Sequence, residues 1–206
     1  MIAALYVQSG GCYFGLPDVD PWDEARDARL YAGPWPVVAH PPCQRWGSYW
    51  SGGPTRKVDK IKGDDGGCFA AALASVRTWG GVLEHPAYSW AWSFHRLAHP
   101  PSGGGWIAAD WSQGHRGWTC RVEQGAYGHA ARKATWLYAV GADLPSLRWG
   151  RTPGDFAAID GKMTDAERRR AIKAGVFQRL SKRKRAATPI EFRDLLISIA
   201  ESAGVP

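Results

Sequence analysis

The segment best equipped for chemistry is 36–47, PVVAHPPCQRWG, in which a cysteine follows two prolines at the end of an apolar run. A thiol just beyond a strand, in a turn made rigid by Pro41 and Pro42 and next to Arg45, can be partly exposed and favoured as a thiolate. Cys43 is therefore a candidate nucleophile. The alternative is a small buried apolar residue, which is the more common role of a lone cysteine.

A second reactive group, Glu84, follows an apparent short strand that ends in Val82 and Leu83. A carboxylate at such a position can hydrogen-bond the polar edge of a ligand or transfer a proton. It can equally be a solvated strand terminus. Layered α/β sheets bind ligands at the carboxyl ends of their strands. Glu84 is therefore a candidate site residue together with Cys43, which also follows a predicted strand.

The elements that must position these groups alternate along the chain. Apolar runs predict strands, each closed by glycine, proline or polar residues, at 2–8, 37–40, 82–84, 118–124 and 135–140. The Ala-rich segment 68–79 predicts a helix that ends at Gly80. This alternation predicts an α/β fold, a Rossmann-like layered sheet with helices on both faces.

Other segments predict turns, loops and helix starts. Residues 17–29 predict a turn and at most a short helix, and 51–67 and 99–118 predict loops, the second suited to binding. Thr164-Asp165-Ala166-Glu167 and Thr188-Pro189-Ile190-Glu191 both fit a capping box, the second with proline at the first helical position.

Charge is concentrated in one part of the chain. The net charge is +7, and residues 161–185 contain ten basic and two acidic residues. We expect this positive segment to bind nucleic-acid phosphates, although a solvated helix with a basic linker explains it equally well. The candidate nucleic-acid-binding residues are Lys57, Lys60, Arg168, Arg169, Arg183, Lys184 and Arg185.

Composition narrows the class of protein. No run of 18 or more apolar residues occurs, so we expect a soluble cytoplasmic protein with no membrane partner. The four cysteines form no CxxC pair, which predicts free thiols and no metal site. Twelve tryptophans are present, and while most are expected to pack the core, some must lie near the surface, where an indole can stack on a base.

Three ordered motifs resemble those of the cytosine-C5 DNA methyltransferases. They are PPCQ at 41–44, LEHP at 83–86 and YGHAARKATWLYAVG at 127–141, similar to the family's nucleophile loop, its Glu-Asn-Val strand end and its last conserved segment. The sequence is also similar to small phage and prophage proteins that share these signatures. The resemblance covers about the middle half of the chain.

The resemblance implies a role for each matching residue. The Cys43 thiolate would add to C6 of a pyrimidine, and Glu84 would bind or protonate the N3 edge. Arg132 would join them as a catalytic residue, with Lys133 binding the base carbonyl or a phosphate. Pro42, Gln44, Arg45 and His85 would complete the substrate site. The target base would leave the duplex, and the loop 51–67 would close over it.

The sequence also departs from the family. The Asn of the second motif is His85 here, and the Gln and two Arg of the third motif fall on Arg132, Ala134 and Trp136. S-adenosylmethionine would be the methyl donor, held by Gly10 and Gly11, with its ribose on Asp18 or Asp20. However, residues 16–40 are too few for two further strand-helix units. We therefore expect a reduced methyltransferase-like scaffold.

Three functions are compatible with these observations. The first is a transferase-type enzyme that modifies DNA pyrimidines at C5 through Cys43, either by methyl transfer or by a different C5 reaction through the same covalent adduct. The second is a DNA-binding protein without catalysis, and the third is a base-excising or hydrolytic enzyme in which Glu84 or Asp110 activates water. In each case a core at 1–160 is expected to share one domain with the basic and C-terminal helices at 161–206, and no obligate protein partner is implied.

Overall fold

The centre of the molecule is a mixed sheet whose middle strands are buried on both faces. The computed structural model describes residues 1–52, 60–110, 117–153, 166, 169–170, 173–174 and 180–204. Within these ranges the strands are β1 (Ile2–Leu5), β2 (Val19–Trp22), β3 (Val37–Ala39), β4 (Gly81–Pro86), β5 (Ile107–Asp110), β6 (Gly117–Glu123) and β7 (Ala134–Val140). Their order across the sheet is β2-β1-β3-β4-β7-β6-β5. Strands β1 to β4 run parallel, whereas β7, β6 and β5 each run antiparallel to the strand before them in that order.

Helices cover the sheet. They are α1 (Cys68–Trp79), α2 (Trp90–Phe94), α3 (Lys182–Ala186) and α4 (Ile190–Glu201), with 3-10 turns at Glu24–Arg26, Ala28–Leu30 and Gln124–Tyr127. Helix α1 ends at Gly80, whose positive φ of 74° lets its N–H close back onto the Val76 carbonyl. No helix in the described ranges combines the length and apolarity needed to cross a bilayer.

Alternation along the strands divides the core into two layers. Ala3, Leu5 and Leu83 face the layer that contains α1, and the intervening Ala4 and Val82 face the layer that contains α4. Because successive strand residues point to opposite faces, each central strand contributes to both layers. The α1 layer is completed by buried Phe69, Leu73 and Val76, and the α4 layer by buried Phe192, Leu196 and Ile199. The prediction of a layered α/β sheet with helices on both faces is confirmed.

The predicted strands and the α1 helix are confirmed with small changes in their bounds, but two strands were missed. Residues 17–29 contain β2 as well as two 3-10 turns, and the 99–118 segment contains β5. Both lie at the edges of the sheet, where β2 tolerates Pro21 and where apolar patterning is weak. Within residues 6–36 the connection between β1 and β3 contains β2 and no α-helix, which confirms that two strand-helix units do not fit there.

The C-terminal helix begins one residue later than its capping box predicts. Pro189 is the N-cap of α4, and no side chain caps the helix, because proline has no side-chain hydrogen-bond acceptor. The Glu191 carboxylate pairs with Arg148. The short basic helix α3 was not predicted, although Ser181 caps it by accepting from the Lys184 amide. Residues 166, 169, 170 and 173 are helical, while Thr164 and Glu167 lie outside the described residues, as do 53–59 and 111–116 of the two predicted loops. All four cysteines are free, as predicted.

The packing of α4 on the sheet gives a first prediction. Replacing fully buried Leu196 by Ala should lower the free energy of unfolding by about 2–5 kcal/mol, because it opens a cavity against the sheet. Ile190→Ala is the matched control, since its side chain is 56% exposed on the same helix, and it should change stability by less than about 0.5 kcal/mol. Urea unfolding measures both. Equal effects from the two variants would contradict the docking of α4.

Candidate functional site

A cavity opens where β1, β3 and β4 end. Because these strands are parallel, their carboxyl ends meet at one edge of the sheet, and the reversed direction of β7 brings its first residues to the same edge. The cavity has a volume of about 1230 Å³, large for a small-molecule site. Its wall comes from five separate segments, within 6–13, 40–44, 84–86, 131–134 and 183–188.

Strand register places a histidine beside the predicted carboxylate. Ala39 of β3 pairs with Leu83 of β4, so the next residues, His40 and Glu84, are neighbours on the same face. His40 Nδ1 lies 3.0 Å from Glu84 Oε2, and Tyr13 OH lies 2.8 Å from His40 Nε2. Both Tyr13 and Glu84 are buried. The three side chains form a continuous hydrogen-bonded row along the cavity floor.

The second oxygen of the carboxylate is also occupied. Gln124 Nε2 donates to Glu84 Oε1 at 3.0 Å and to Thr135 Oγ1 at 3.0 Å, and Gln124 is fully buried. Burial by itself disfavours the charged carboxylate, but the hydrogen bond from His40 and the positive charge of Lys133 lower the pKa of Glu84 below its usual value. Glu84 is therefore an ionised hydrogen-bond acceptor at neutral pH.

One arrangement of protons satisfies this row. Burial and the nearby Cys12 and Glu84 raise the pKa of Tyr13 well above its usual value, so its hydroxyl keeps its proton. With a neutral His40 ring that carries its proton on Nδ1, the hydroxyl donates to Nε2, and Nδ1–H donates to the Glu84 carboxylate, which can only accept. The row fixes the ring of His40 and holds Glu84 at the wall of the cavity.

Cys43 is exposed to the cavity and held from both sides. Pro41 and Pro42 precede it, and the buried Trp46 that follows donates its amide to the Cys43 carbonyl at 3.1 Å. The indole of Trp46 is anchored in turn by a 2.8 Å hydrogen bond to Asp65 Oδ2. The thiol thus follows two prolines in a turn that the Trp46 amide closes.

The expected bias of Cys43 towards thiolate is wrong. Partial removal of solvent and the nearby Glu84 carboxylate raise the pKa of the Cys43 thiol, and the positive charge of Lys133 only partly offsets them. Arg45, which was expected to supply that bias, donates instead to the Trp50 carbonyl at 2.9 Å and does not line the cavity.

The basic residues before β7 are tied to neighbouring backbone. Lys133 lines the cavity, and its ammonium donates to the carbonyls of Ala186 and Ala187 at 3.3 and 3.0 Å. It therefore holds the end of α3 against the site. Arg132 also lines the cavity, but its Nε donates to the Thr152 carbonyl at 3.0 Å.

The candidate cofactor residues divide into two groups. Gly10 and Gly11 line the cavity in a tight turn after β1, where Gly10 has φ 63° and a Cβ on Gly11 would lie 2.7 Å from the Gln8 carbonyl oxygen. Asp18 and Asp20 do not line it. The Asp20 carboxylate accepts from Arg26 and from Trp22 Nε1, so it is not available to hold a ribose. The residues present fit a glycine turn beside a ligand but not the ribose-binding acid of an S-adenosylmethionine site.

The remaining candidates lie in different places. Pro42, Gln44, Arg183 and Arg185 line the cavity, whereas Lys60, Arg169 and Lys184 do not, and Lys57 and Arg168 lie outside the described residues. His85 points to the opposite face from Glu84, where it is fully buried against Phe69 and Trp92. It is a core residue of the α1 layer.

Three residues of the site were missed by sequence reasoning. His40 stands in the HPPC segment itself, and its pairing with Glu84 follows from strand register, which the sequence does not give. Tyr13 and Gln124 come from distant segments and carry no motif.

Asp110, the alternative water-activating group, is bound by Arg77 and Tyr138 and does not line the cavity. The described residues contain no group of three or more metal-binding side chains.

Comparison of the chain with protein-family models, curated proteins and solved structures found no match.

The buried histidine predicts how stability depends on pH. Burial lowers the pKa of His85 from its usual 6.5 to about 4. Between pH 6.5 and about 4, His85 therefore binds a proton in the unfolded chain but stays neutral in the folded chain. Stability is fully present above pH 6.5 and falls by up to about 1.4 kcal/mol per pH unit towards pH 4, roughly 3 kcal/mol in all.

Urea unfolding between pH 4.5 and 8 of the wild type and of His85→Gln measures this effect. Below pH 6.5, the free energy of unfolding of the variant should fall less steeply with decreasing pH than that of the wild type, by about 1.4 kcal/mol per pH unit, which corresponds to one proton. Above pH 7 the two curves should be parallel. Identical slopes across the whole range would contradict a neutral buried imidazole.

Proposed function

We propose that the cavity binds a pyrimidine base and that Cys43 adds to its C6 carbon, as the first step of a C5 modification. The observation that supports this most strongly is the shared cavity: an exposed thiol on a rigid turn and a buried, hydrogen-bonded carboxylate lie at the ends of adjacent parallel strands. The resemblance of the segments 41–44 and 83–86 to the cytosine-C5 methyltransferases agrees with this pairing.

The addition step is balanced without any further group. The thiol loses its proton to solvent, the sulfur forms a bond to C6, the C5–C6 π pair shifts to the C4–C5 bond, and the C4–N3 π pair moves to N3, which takes up a proton from solvent. C5 of the resulting enamine is nucleophilic and can form a bond to an electrophilic carbon, whose leaving group departs with its own bonding pair. Loss of the C5 proton then expels the cysteine and restores the aromatic base.

The state of Glu84 decides which of its two expected roles is supported. A carboxylate that already accepts from His40 and Gln124 and has a lowered pKa is a poor proton donor. It is a good acceptor for an N–H group of the base, such as the exocyclic amino group of cytosine. Glu84 would therefore orient the base and stabilise positive charge on its N3 edge.

The rim of the cavity suits a polynucleotide. Arg183 and Arg185 line the wall formed by the C-terminal segment, and Lys133 holds that wall in place. Cationic side chains at the wall of a base-binding cavity attract the phosphates on either side of an extruded nucleotide. DNA in the cytoplasm of a bacterial host is the partner we propose.

The identity of the C5 electrophile is a separate matter from the addition. The Gly10-Gly11 turn leaves room for a second ligand beside the base, but the acid that would hold the ribose of S-adenosylmethionine is engaged elsewhere. Our proposal therefore rests on Cys43 and Glu84 alone and derives no step through a methyl donor.

A covalent trap tests the addition. DNA containing 5-fluorocytosine, incubated with the protein with and without S-adenosylmethionine, should give a denaturant-resistant adduct detected by intact mass. Because burial and Glu84 raise the pKa of the Cys43 thiol, the rate of trapping should still be rising with pH between about 7 and 9.

Two variants sharpen this test. Cys43→Ala should abolish the adduct, whereas Cys12→Ala, which removes the other cysteine that lines the cavity, should retain it. Glu84→Gln should slow trapping by at least about a hundredfold while leaving the thiol in place. An adduct that survives Cys43→Ala would contradict the proposal, and so would the absence of any adduct on duplex and single strands. Dependence on S-adenosylmethionine would identify methyl transfer.

The cationic rim gives a second prediction. Replacing both Arg183 and Arg185 by Gln should weaken DNA binding uniformly across sequences and reduce the slope of log affinity against log salt by roughly 1.5. The matched control is the Arg170→Gln, Lys173→Gln double variant, which removes the same charge from exposed residues that do not line the cavity. Titrations by fluorescence anisotropy at several salt concentrations measure both slopes. Equal slopes for the wild type and the first variant would remove the phosphate contacts from the cavity rim.

A further inference from the structure

A second groove, made largely of aromatic rings, lies beside the reactive cavity. It has a volume of about 340 Å³. Its walls include Trp46, Trp90, Trp136 and Tyr88, and its polar groups include Lys62 and His99. This volume is at the lower end of the range for small-ligand sites, so the groove suits one flat ring. The chemistry proposed for Cys43 does not use it.

The groove and the cavity are built on the same two loops. Gln44 lines the cavity and Trp46 lines the groove, two residues apart on the loop that carries Cys43. Pro86, the last residue of β4, lines the cavity, and Tyr88, two residues later, lines the groove. Because residues two apart are separated by at most about 7.6 Å between Cα atoms, the two sites are within reach of neighbouring units of one polymer.

The aromatic walls are fixed rather than adaptable. Trp46 is buried and bonded through its indole N–H to Asp65, and the Trp90 amide donates to the Trp46 carbonyl at 2.9 Å. The rings of Trp46 and Trp90 lie 5.9 Å apart between centroids. The buried Trp46 thus holds the partly exposed Trp90 ring in place, and a ring held in this way loses little conformational freedom when a flat ligand stacks on it.

Tyr88 is the exposed wall of the groove. Its side chain is 72% exposed, and its ring centroid lies 5.5 Å from that of Trp136. Its φ of 65° is in the left-handed region, which a bulky residue adopts only at a cost. Strained backbone of this kind clusters at ligand sites, and here it holds an aromatic ring out in solvent over the groove.

Charge identifies the kind of ligand. The Lys62 ammonium lies 4.3 Å from the centre of the Trp90 ring, and the Arg45 guanidinium donates to the carbonyl of Trp50, which also lines the groove. Flat rings flanked by cations match a base and its phosphate. We propose that this groove binds the nucleobase next to the modified pyrimidine in a single strand. The assignment rests on the proposed function only for the identity of the neighbouring base.

Binding of oligonucleotides by the full-length Cys43→Ala variant tests this assignment without any covalent chemistry. Two 12-nucleotide strands are compared by fluorescence anisotropy, one of mixed sequence and one with the same phosphates but abasic throughout. Adding Tyr88→Ala should weaken binding of the base-bearing strand at least about fivefold and leave the abasic strand unchanged. Tyr88→Phe, the matched control, should stay within twofold on both strands.

Each outcome is decisive. Unchanged affinity of Tyr88→Ala for the base-bearing strand would overturn the assignment, and so would an equal loss on both strands. Circular dichroism and urea unfolding show that the variant is folded, which is expected because Tyr88 is exposed. A failed 5-fluorocytosine trap together with a Tyr88-dependent loss would leave the groove assigned and the C6 addition refuted. A successful trap without a Tyr88-dependent loss of affinity would support the C6 addition and refute the assignment of the groove.

Discussion

The site depends on the burial of one carboxylate. A charged group that is taken out of water must regain its hydrogen bonds from the protein, and Glu84 does so through His40 on one oxygen and Gln124 on the other. These donors come from β3 and from the end of β6, two elements that flank β4 and β7 in the sheet. The carboxylate therefore fixes the relative position of four strands at the edge where the cavity opens.

The same arrangement separates the protonation states of the two reactive groups. Hydrogen bonds keep the pKa of Glu84 low although it is buried, whereas partial burial and the charge of Glu84 raise the pKa of Cys43 although its thiol faces the cavity. Pairs of groups whose environments push their pKa values apart are typical of sites that handle protons. Here the Glu84 carboxylate stays ionised and accepts hydrogen bonds, whereas the raised pKa keeps the Cys43 thiol protonated until a base removes its proton.

The sequence predicted the parts of this fold that depend on local chemistry. Apolar runs located the central strands, and alanine, glycine and apolar spacing located α1 to the residue. The edge strand β2 was missed because four residues that include Pro21 carry no clear period. Cys43 and Glu84 were found because each comes directly after an apolar run or its closing prolines, although β4 continues past Glu84 to Pro86. His40, Tyr13 and Gln124 were not, because their roles depend on the register of β3 against β4 and on contacts between distant segments.

His85 shows why a motif position does not determine a role. The resemblance placed it beside Glu84 in the substrate site, but adjacent residues of a strand point to opposite faces. Since Glu84 faces the α4 layer, His85 must face the α1 layer, where Phe69 and Trp92 enclose it.

The five-segment wall of the cavity has a consequence for the order in which the molecule acquires reactivity. A growing chain carries Cys43 and Glu84 about a hundred residues, roughly 5–20 s of synthesis, before it carries the segment that Lys133 holds in place. Arg193, 181 residues after Cys12, donates to the Cys12 carbonyl on the other side of the site. Residues up to Arg193 must therefore be present before the thiol is enclosed by the full wall of the cavity, so a polypeptide that ends before them has the cysteine but not the cavity.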